Sequence, residues 1–242
     1  MLNFLVILNQ KKHKTINFSQ KIIEYLRSKK HNAFTLKNKY HIENIDFIIT
    51  LGGDGLILSC SRKYDCYEKK IFAINFGQIG YLSSCQKNNV FISLDKLLEN
   101  NFIILEKTRL KYKDYTALNE ITISKSQAKL VDLSVFINNN FIKKYRADGL
   151  IISTPTGSTA YNLSAGGSVL DGNLKALIIT PICDYNKNSY PYVIKDDSII
   201  KITIDDSVSK VKIILDGQLT LEAEKIILIK ASQLKTKIIK FN

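Results

Sequence analysis

Residues 45–61 read IDFIITLGGDGLILSCS, and this stretch decides the fold class. Residues 45–51 are an apolar run of strand length, stopped by Gly52-Gly53-Asp54-Gly55. Apolar residues resume in a helical pattern over 56–61, so the segment reads as strand, glycine turn and helix. Such a turn has a chemical use. Glycine lets the backbone approach a phosphate without a Cβ, and the helix that follows presents unpaired N–H groups to an anion. The Asp54 carboxylate is left beside that path, where it can orient or deprotonate a hydroxyl or hold Mg2+. The plain alternative is that Asp54 only caps the helix after a tight turn. No GK[ST] follows and the GxGxxG spacing is missing, so the loop is neither a P-loop nor a dinucleotide fingerprint.

Outward from this segment the alternation continues. Upstream, residues 4–8 are a short apolar run, and Phe18, Ile22, Ile23, Tyr25 and Leu26 recur at helical spacing with Ser19 near the expected helix start. Downstream, 71–74 is a third run, followed by Gly77 and Gly80. Strands alternating with helices predict a parallel sheet whose ligands sit beyond the strands' carboxyl ends, where both glycine loops fall. From about residue 101 the pattern is β throughout, with runs at 102–105, 118–123, 130–137 and 141–145 and a hairpin connection at Asn138-Asn139-Asn140. The run 149–153 leads into the one helical candidate of this half, 158–165. After it come 177–179, 199–204, a hairpin of 211–215 with 219–221 around Asp216-Gly217, then 226–230 and 238–241. The expected architecture is an α/β N-terminal domain (1–100) with a parallel sheet and glycine loops, plus a β-rich C-terminal domain (101–242) whose end is free to return to the first.

Composition narrows the function. Of 242 residues, 45% are hydrophobic and 24% charged, which is ordinary globular usage and excludes a disordered, collagen-like or coiled-coil chain. The net charge of +13 comes from 31 lysines and only four arginines against 22 acidic residues. Groove and phosphate readers favour arginine for its planar fork, so the excess reads as a compositional bias that draws in polyanionic small molecules, not as a nucleic-acid footprint. Cys60, Cys66, Cys85 and Cys183 lack metal-ligand spacing, so reduced thiols and a cytoplasmic location are expected, with Cys183 a buried structural cysteine. The apolar start lacks a basic leader and reads as a first strand, and no apolar stretch nears the roughly 20 residues a bilayer span needs. His13, His31 and His41 precede every motif and read as surface residues.

The second chemical element is residues 148–161, DGLIISTPTGSTAY. An apolar strand runs into a dense set of hydroxyl and glycine residues and then a helix. Small hydroxyls beside helix N–H groups suit the polar edge of a base or ribose, although hydroxyl-backbone turns also produce such segments.

At this point the chain resembles the NAD kinase family. The resemblance lies in Gly52-Gly53-Asp54-Gly55, Asn75-Phe76-Gly77-Gln78-Ile79-Gly80-Tyr81-Leu82, Asn119-Glu120, Asp148 through Ser164 with Gly166-Gly167, and Asp216-Gly217-Gln218. Phosphofructokinases and lipid kinases share the first block; the Thr-Pro-Thr-Gly-Ser-Thr-Ala-Tyr block is far more specific. The resemblance implies transfer of the terminal phosphoryl of ATP to the 2′-hydroxyl of the adenosine ribose of NAD, with Mg2+ or another divalent metal. It also implies an α/β first domain, a β-rich NAD-binding second domain and a homodimer or homotetramer. Asp54 would take or polarise the hydroxyl proton with Gly55 alongside. Asn119 and Glu120 would meet adenine and ribose; Arg146, Asp148, Thr159, Ala160, Tyr161, Asn162, Leu163, Ser164 and Gln218 would lie near the dinucleotide. No residue is assigned as a metal ligand. Polyphosphate as an alternative donor stays open.

Plainer readings exist for several of these. Glu120 alone reads as a solvent-facing strand residue, Tyr161 as a half-buried core aromatic, and Asp148 as a structural salt-bridge partner of Arg146. Leu56 stands where the family commonly has Thr or Ser, which removes one hydroxyl from the phosphate path but none of the backbone N–H donors; residues 181–191 also depart from the family pattern. A lipid or sugar kinase rests on 52–55 alone and leaves 148–164 without a role. A non-catalytic nucleotide-binding regulator would keep the pocket and tolerate the loss of Asp54. Specific nucleic-acid or membrane binding has no motif behind it.

Overall fold

The computed structural model describes residues 1–8, 13–64, 68–76, 80–186, 189–205 and 210–241. Cys66, Gly77, Gln78, Ile79 and the side chain of His13 lie outside the described residues. The chain divides into two compact units, Met1–Glu106 joined by the segment from Lys235, and Lys107–Leu234.

In the first unit β1 (Asn3–Leu8), α1 (His13–Ser28), β2 (Asn32–Thr35), β3 (Phe47–Leu51), α2 (Asp54–Lys63), β4 (Lys70–Asn75), β5 (Cys85–Gln86), α3 (Val90–Leu98) and β6 (Ile103–Lys107) follow in turn. The second unit holds β7 (Leu110–Tyr112), β8 (Tyr115–Ala117), β9 (Glu120–Lys125), β10 (Val131–Ile137), β11 (Asn140–Ala147), β12 (Gly149–Ser153), α4 (Tyr161–Ser164), β13 (Ala176–Ile182), β14 (Tyr192–Lys195), β15 (Ile200–Ile204), β16 (Val211–Leu215), β17 (Leu219–Glu222) and β18 (Ile226–Ala231). The last strand, β19 (Thr236–Lys240), belongs again to the first unit.

The first sheet runs β2-β1-β3-β4-β19-β6, with β5 also on β4. Strands β1, β2, β3, β4, β5 and β19 pair in parallel. Parallel strands covered on both faces need apolar residues without alternation, and β3 is buried at all five positions. The core gathers Phe4, Val6, Ile22, Leu26, Phe47, Ile49, Phe72, Ile74, Leu94 and Ile239. Because β3, β4 and β19 are parallel, their carboxyl ends share one edge of the sheet, which positions the candidate chemistry.

The second unit stacks two six-stranded sheets, β11-β10-β15-β18-β7-β8 and β14-β13-β12-β9-β16-β17, around one core. Strands β10, β15 and β16 alternate buried and half-buried residues, the signature of a sheet with one covered face. The two expected hairpins form: Asn138 and Asn139 take φ of 50° and 67°, and Asp216 and Gly217 take 50° and 63°. Turns of this left-handed kind match the twist of the strands they join.

Four expectations fail locally. Helix α1 begins at His13, so Ser19 lies inside it and donates its hydroxyl back to the Ile16 carbonyl at 2.7 Å. The helix expected over 158–165 is instead a 3-10 turn, Thr156–Thr159, and then α4, broken at Ala160 with φ −93° and ψ −131°. Cys183 is exposed, in a left-handed conformation with φ 48°, not buried. His31 is half-buried, accepting the Leu2 amide on Nδ1 at 3.0 Å with its ring edge-on to Phe4.

Candidate active site

Asp54 is the first residue of α2, directly beyond the carboxyl end of β3. The cap position belongs to Gly53, with φ −86° and ψ −176° and no side-chain cap hydrogen bond, so Asp54 is not spent on capping. Its Oδ1 is buried and has no hydrogen-bond partner. Burial pushes the carboxyl above its ordinary value, opposed by the Leu82 amide, the Lys240 charge and the Tyr81 amide. Gly80 comes so close that a Cβ there would stand 2.3 Å from Oδ1 and 3.0 Å from the hydroxyl of Ser83. A side chain there would displace the Asp54 carboxylate. The Ser83 hydroxyl is also buried without a partner, so two unsatisfied oxygens face the same small space. Gly55, the next residue of α2, is exposed.

In the second unit a set of polar contacts ties three separate stretches together. The Asp216 carboxylate accepts the backbone N–H groups of Leu118 at 3.1 Å and Asn119 at 2.7 Å. The Asn119 carbonyl accepts the Thr154 N–H at 2.9 Å, and the Thr154 hydroxyl donates to the Leu118 carbonyl at 2.6 Å. The same hydroxyl accepts the Gly157 N–H at 3.1 Å. A Cβ at Gly157 would fall 2.1 Å from the Asn119 carbonyl oxygen, so the 3-10 turn and the Asn119 backbone meet only through a glycine. The Asn119 side chain, half-buried, makes no hydrogen bond among the described residues.

Glu120 is buried, with 5% of its surface exposed, and is not the solvent-facing residue its strand position alone suggests. Its Oε2 has no partner. Burial and the nearby Asp216 charge push its carboxyl up to about 7. A buried acid with one empty oxygen suits a ligand hydroxyl or amine that supplies the missing donor.

The hydroxyl-rich block divides in two. Thr154, Ser158 and Asn162 are fully buried and serve the fold. Asn162 donates to the carbonyls of Ser158 and Ser168, each at 3.0 Å, and accepts the Thr180 hydroxyl at 2.7 Å. Thr159, Tyr161, Leu163 and Ser164 are exposed, Ala160 partly so, and the Thr159, Tyr161 and Ser164 hydroxyls have no partner among the described residues. Tyr161, 45% exposed, is not a core aromatic. Gln218 is exposed in the turn that carries Asp216.

Arg146 and Asp148 stand apart from this cluster. Gly149 pairs with Ser124 and Ser153 with Glu120, so Asp148, just before Gly149, lies about 17 Å along β12 from the position opposite Glu120 at 3.3 Å per residue. Asp148 pairs with Lys125, not with Arg146. Arg146 instead lies over the Tyr185 ring, 5.9 Å from its centroid. Sequence reading missed Asp216 as the anchor of the Leu118 and Asn119 amides, because Asp-Gly alone is explained as a turn. It also missed Lys240 beside Asp54, for which no local pattern exists.

Two family models match the chain: the ATP-NAD kinase N-terminal domain over residues 4–102 and the ATP-NAD kinase C-terminal domain over 118–241. The chain belongs to the NAD kinase family. The NAD kinase of Caldicellulosiruptor saccharolyticus is 33% identical over 243 residues, covering 97% of this chain and 92% of that protein. That of a Thermoanaerobacter species is 37% identical over 207 residues, covering 81% of this chain and 73% of that protein. Among solved structures, an NAD kinase from Archaeoglobus fulgidus in complex with ATP superposes with a TM-score of 0.85 at 27% identity, covering 100% of this chain and 94% of the other. A yeast NADH kinase complexed with NADH gives the same TM-score at 24% identity, covering 100% and 84%, which is a likeness of fold alone. The α/β unit with a mostly parallel sheet and the β-rich unit are thus the two halves of the NAD kinase fold.

Proposed function

We propose that this family member transfers the terminal phosphoryl of ATP to the 2′-hydroxyl of the adenosine ribose of NAD, forming NADP and ADP. The observation that carries the reading is the buried, partnerless Oδ1 of Asp54 at the start of α2. A carboxylate held there accepts the hydroxyl proton as the ribose oxygen attacks the terminal phosphorus and the bond to ADP breaks. The Gly-Gly-Asp-Gly turn lets the backbone approach phosphate without a Cβ, a role that survives Leu56. Asn119 and Glu120 hold the adenosine, while Thr159, Tyr161 and Ser164 offer hydroxyls; the roles of Ala160, Leu163, Arg146, Asp148 and Gln218 rest on the family resemblance. Asn162 acts by holding the block in shape.

A divalent cation enters as part of the substrate, MgATP. Among the described residues no group of three or more His, Cys, Asp or Glu side chains is placed to hold a metal. A self-associated state and a cytoplasmic location belong to the same proposal. Among the described residues no helix is long and apolar enough to cross a membrane.

The test is NADP formation from NAD and MgATP by the purified chain and by Asp54→Asn. The variant is expected to fold and bind NAD as wild type while turnover drops by about 10²- to 10⁴-fold, the usual effect of removing a positioned acid or base. Near wild-type turnover in the variant would return Asp54 to a structural role.

A further inference from the structure

Lys240 ends β19 at the sheet edge where Asp54 follows β3 and the turn 80–83 follows β4. Its ammonium donates to the Ser83 carbonyl and, at 3.4 Å, to the Tyr81 carbonyl. The Ser83 N–H closes the turn on the Gly80 carbonyl at 3.2 Å, and Ser84 ties it to β4 through the Ala73 carbonyl at 2.7 Å. The Tyr81 carbonyl and the Leu82 N–H are the two ends of one peptide group. A cation at the oxygen end polarises that group and makes its N–H a stronger donor. The donor end acts on Asp54, whose carboxylate lies within a methyl's reach of the same turn at Gly80.

We propose that Lys240 is a positioning residue for Asp54: it holds the Tyr81–Leu82 peptide by its carbonyl so that the amide is presented to the carboxylate, and it keeps a positive charge on that side of the site. The proposal rests on the reading of Asp54 as the proton acceptor. Among the described residues Lys240 is the charged group whose field reaches Asp54, and the remaining influences are burial and the Leu82 and Tyr81 amides. Burial drives the carboxylate toward its protonated, inactive form; the lysine and the amides hold it ionised. A base on a glycine loop thus depends on a side chain from the end of the chain.

The experiment is the pH profile of kcat/KM for NAD in wild type, Lys240→Met, Lys240→Arg and Asp54→Asn, each checked for folding by thermal melting. Only the ionised carboxylate accepts the proton, so activity falls on the acid side as Asp54 protonates. Removing a nearby opposite charge raises a carboxyl by about one unit or more. Lys240→Met is therefore expected to move the acid limb upward by about one pH unit, giving about tenfold lower kcat/KM below the limb and near wild-type values well above it. Lys240→Arg keeps the charge and leaves the limb in place. A limb that stays put in Lys240→Met, or a loss equal at every pH, overturns the positioning role while leaving Asp54 as base if Asp54→Asn is inactive. An active Asp54→Asn overturns both. Should Lys240→Met fail to fold, Lys240→Gln, which keeps donors for the carbonyls without the charge, is judged by the same displacement of the limb.

Discussion

Glu120 carries a measurable consequence of its burial. Its folded carboxyl titrates near 7, above its ordinary value of 4.5, because burial and the Asp216 charge both disfavour ionisation. The folded chain therefore keeps this proton to higher pH than the unfolded chain does. The stability it contributes is full below about 4.5 and is lost as pH rises through 7. Glu120→Gln, neutral and of the same size, removes that dependence. Melting curves are expected to show the variant more stable than wild type at pH 8 and equal to it at pH 4, and a pH-independent difference would contradict the burial argument. The sequence marked Glu120 through its motif, yet strand alternation alone pointed it at solvent. What reverses that is contact with a residue far along the chain, Asp216, whose N–H donates to the Glu120 carbonyl at 3.0 Å and whose charge reaches its carboxyl. Such proximity is invisible to local patterning.

At the scale of elements, the segment 153–164 shows why a dense run of hydroxyls is a poor guide to which of them bind. Its composition is uniform, but residues 153–158 and Asn162 are buried while Thr159, Tyr161, Leu163 and Ser164 are exposed. Thr154, Ser158 and Asn162 serve as internal hydrogen-bonding groups, because a buried 3-10 turn must satisfy its backbone without water. Thr159, Tyr161 and Ser164 stay open to a ligand. Two variants separate the roles. Asn162→Ala strands the carbonyls of Ser158 and Ser168 and the Thr180 hydroxyl, and since a buried unsatisfied group costs about 1–3 kcal/mol, stability is expected to fall by about 2–3 kcal/mol. Thr159→Ala is expected to melt as wild type and to raise KM for NAD a few-fold, about the worth of one neutral hydrogen bond. Denaturant unfolding and steady-state kinetics on the pair check this, and the reverse pattern would exchange the assignments. Strands with strong apolar runs, β1, β3, β4, β9, β12 and β16, are legible in the sequence. The short or weakly buried ones, β2, β7, β8 and β14, are not, since four exposed or half-exposed residues such as those of β14 carry no periodic signal.

At the scale of the molecule, the first unit is continuous in space but not in sequence, because the last strand completes its sheet. β19 lies between β4 and β6, with Lys237 and Ile238 in register with Lys70 and Ile71. Ile238 and Ile239 are buried to 1% and 0% exposure, and Thr236 shares a hydrogen bond of 2.7 Å with Ser61 of α2. Each buried isoleucine is worth about 1.5–3 kcal/mol, and a whole domain is stable by only about 5–15 kcal/mol. Ending the chain after Leu234 therefore removes a large share of the first unit's stability and opens the sheet to water between β4 and β6. The second unit has its own core, to which β19 contributes nothing. Limited proteolysis of the shortened chain is expected to digest residues 1–106 and spare 107–234, with NADP formation lost. Full-length protection, or retained activity, would show that β19 is dispensable to the first unit. The Lys240→Met variant separates strand from side chain: it keeps the strand and resists proteolysis like wild type, so loss of protection in the shortened chain alone traces to the missing β19 ladder and its two isoleucines.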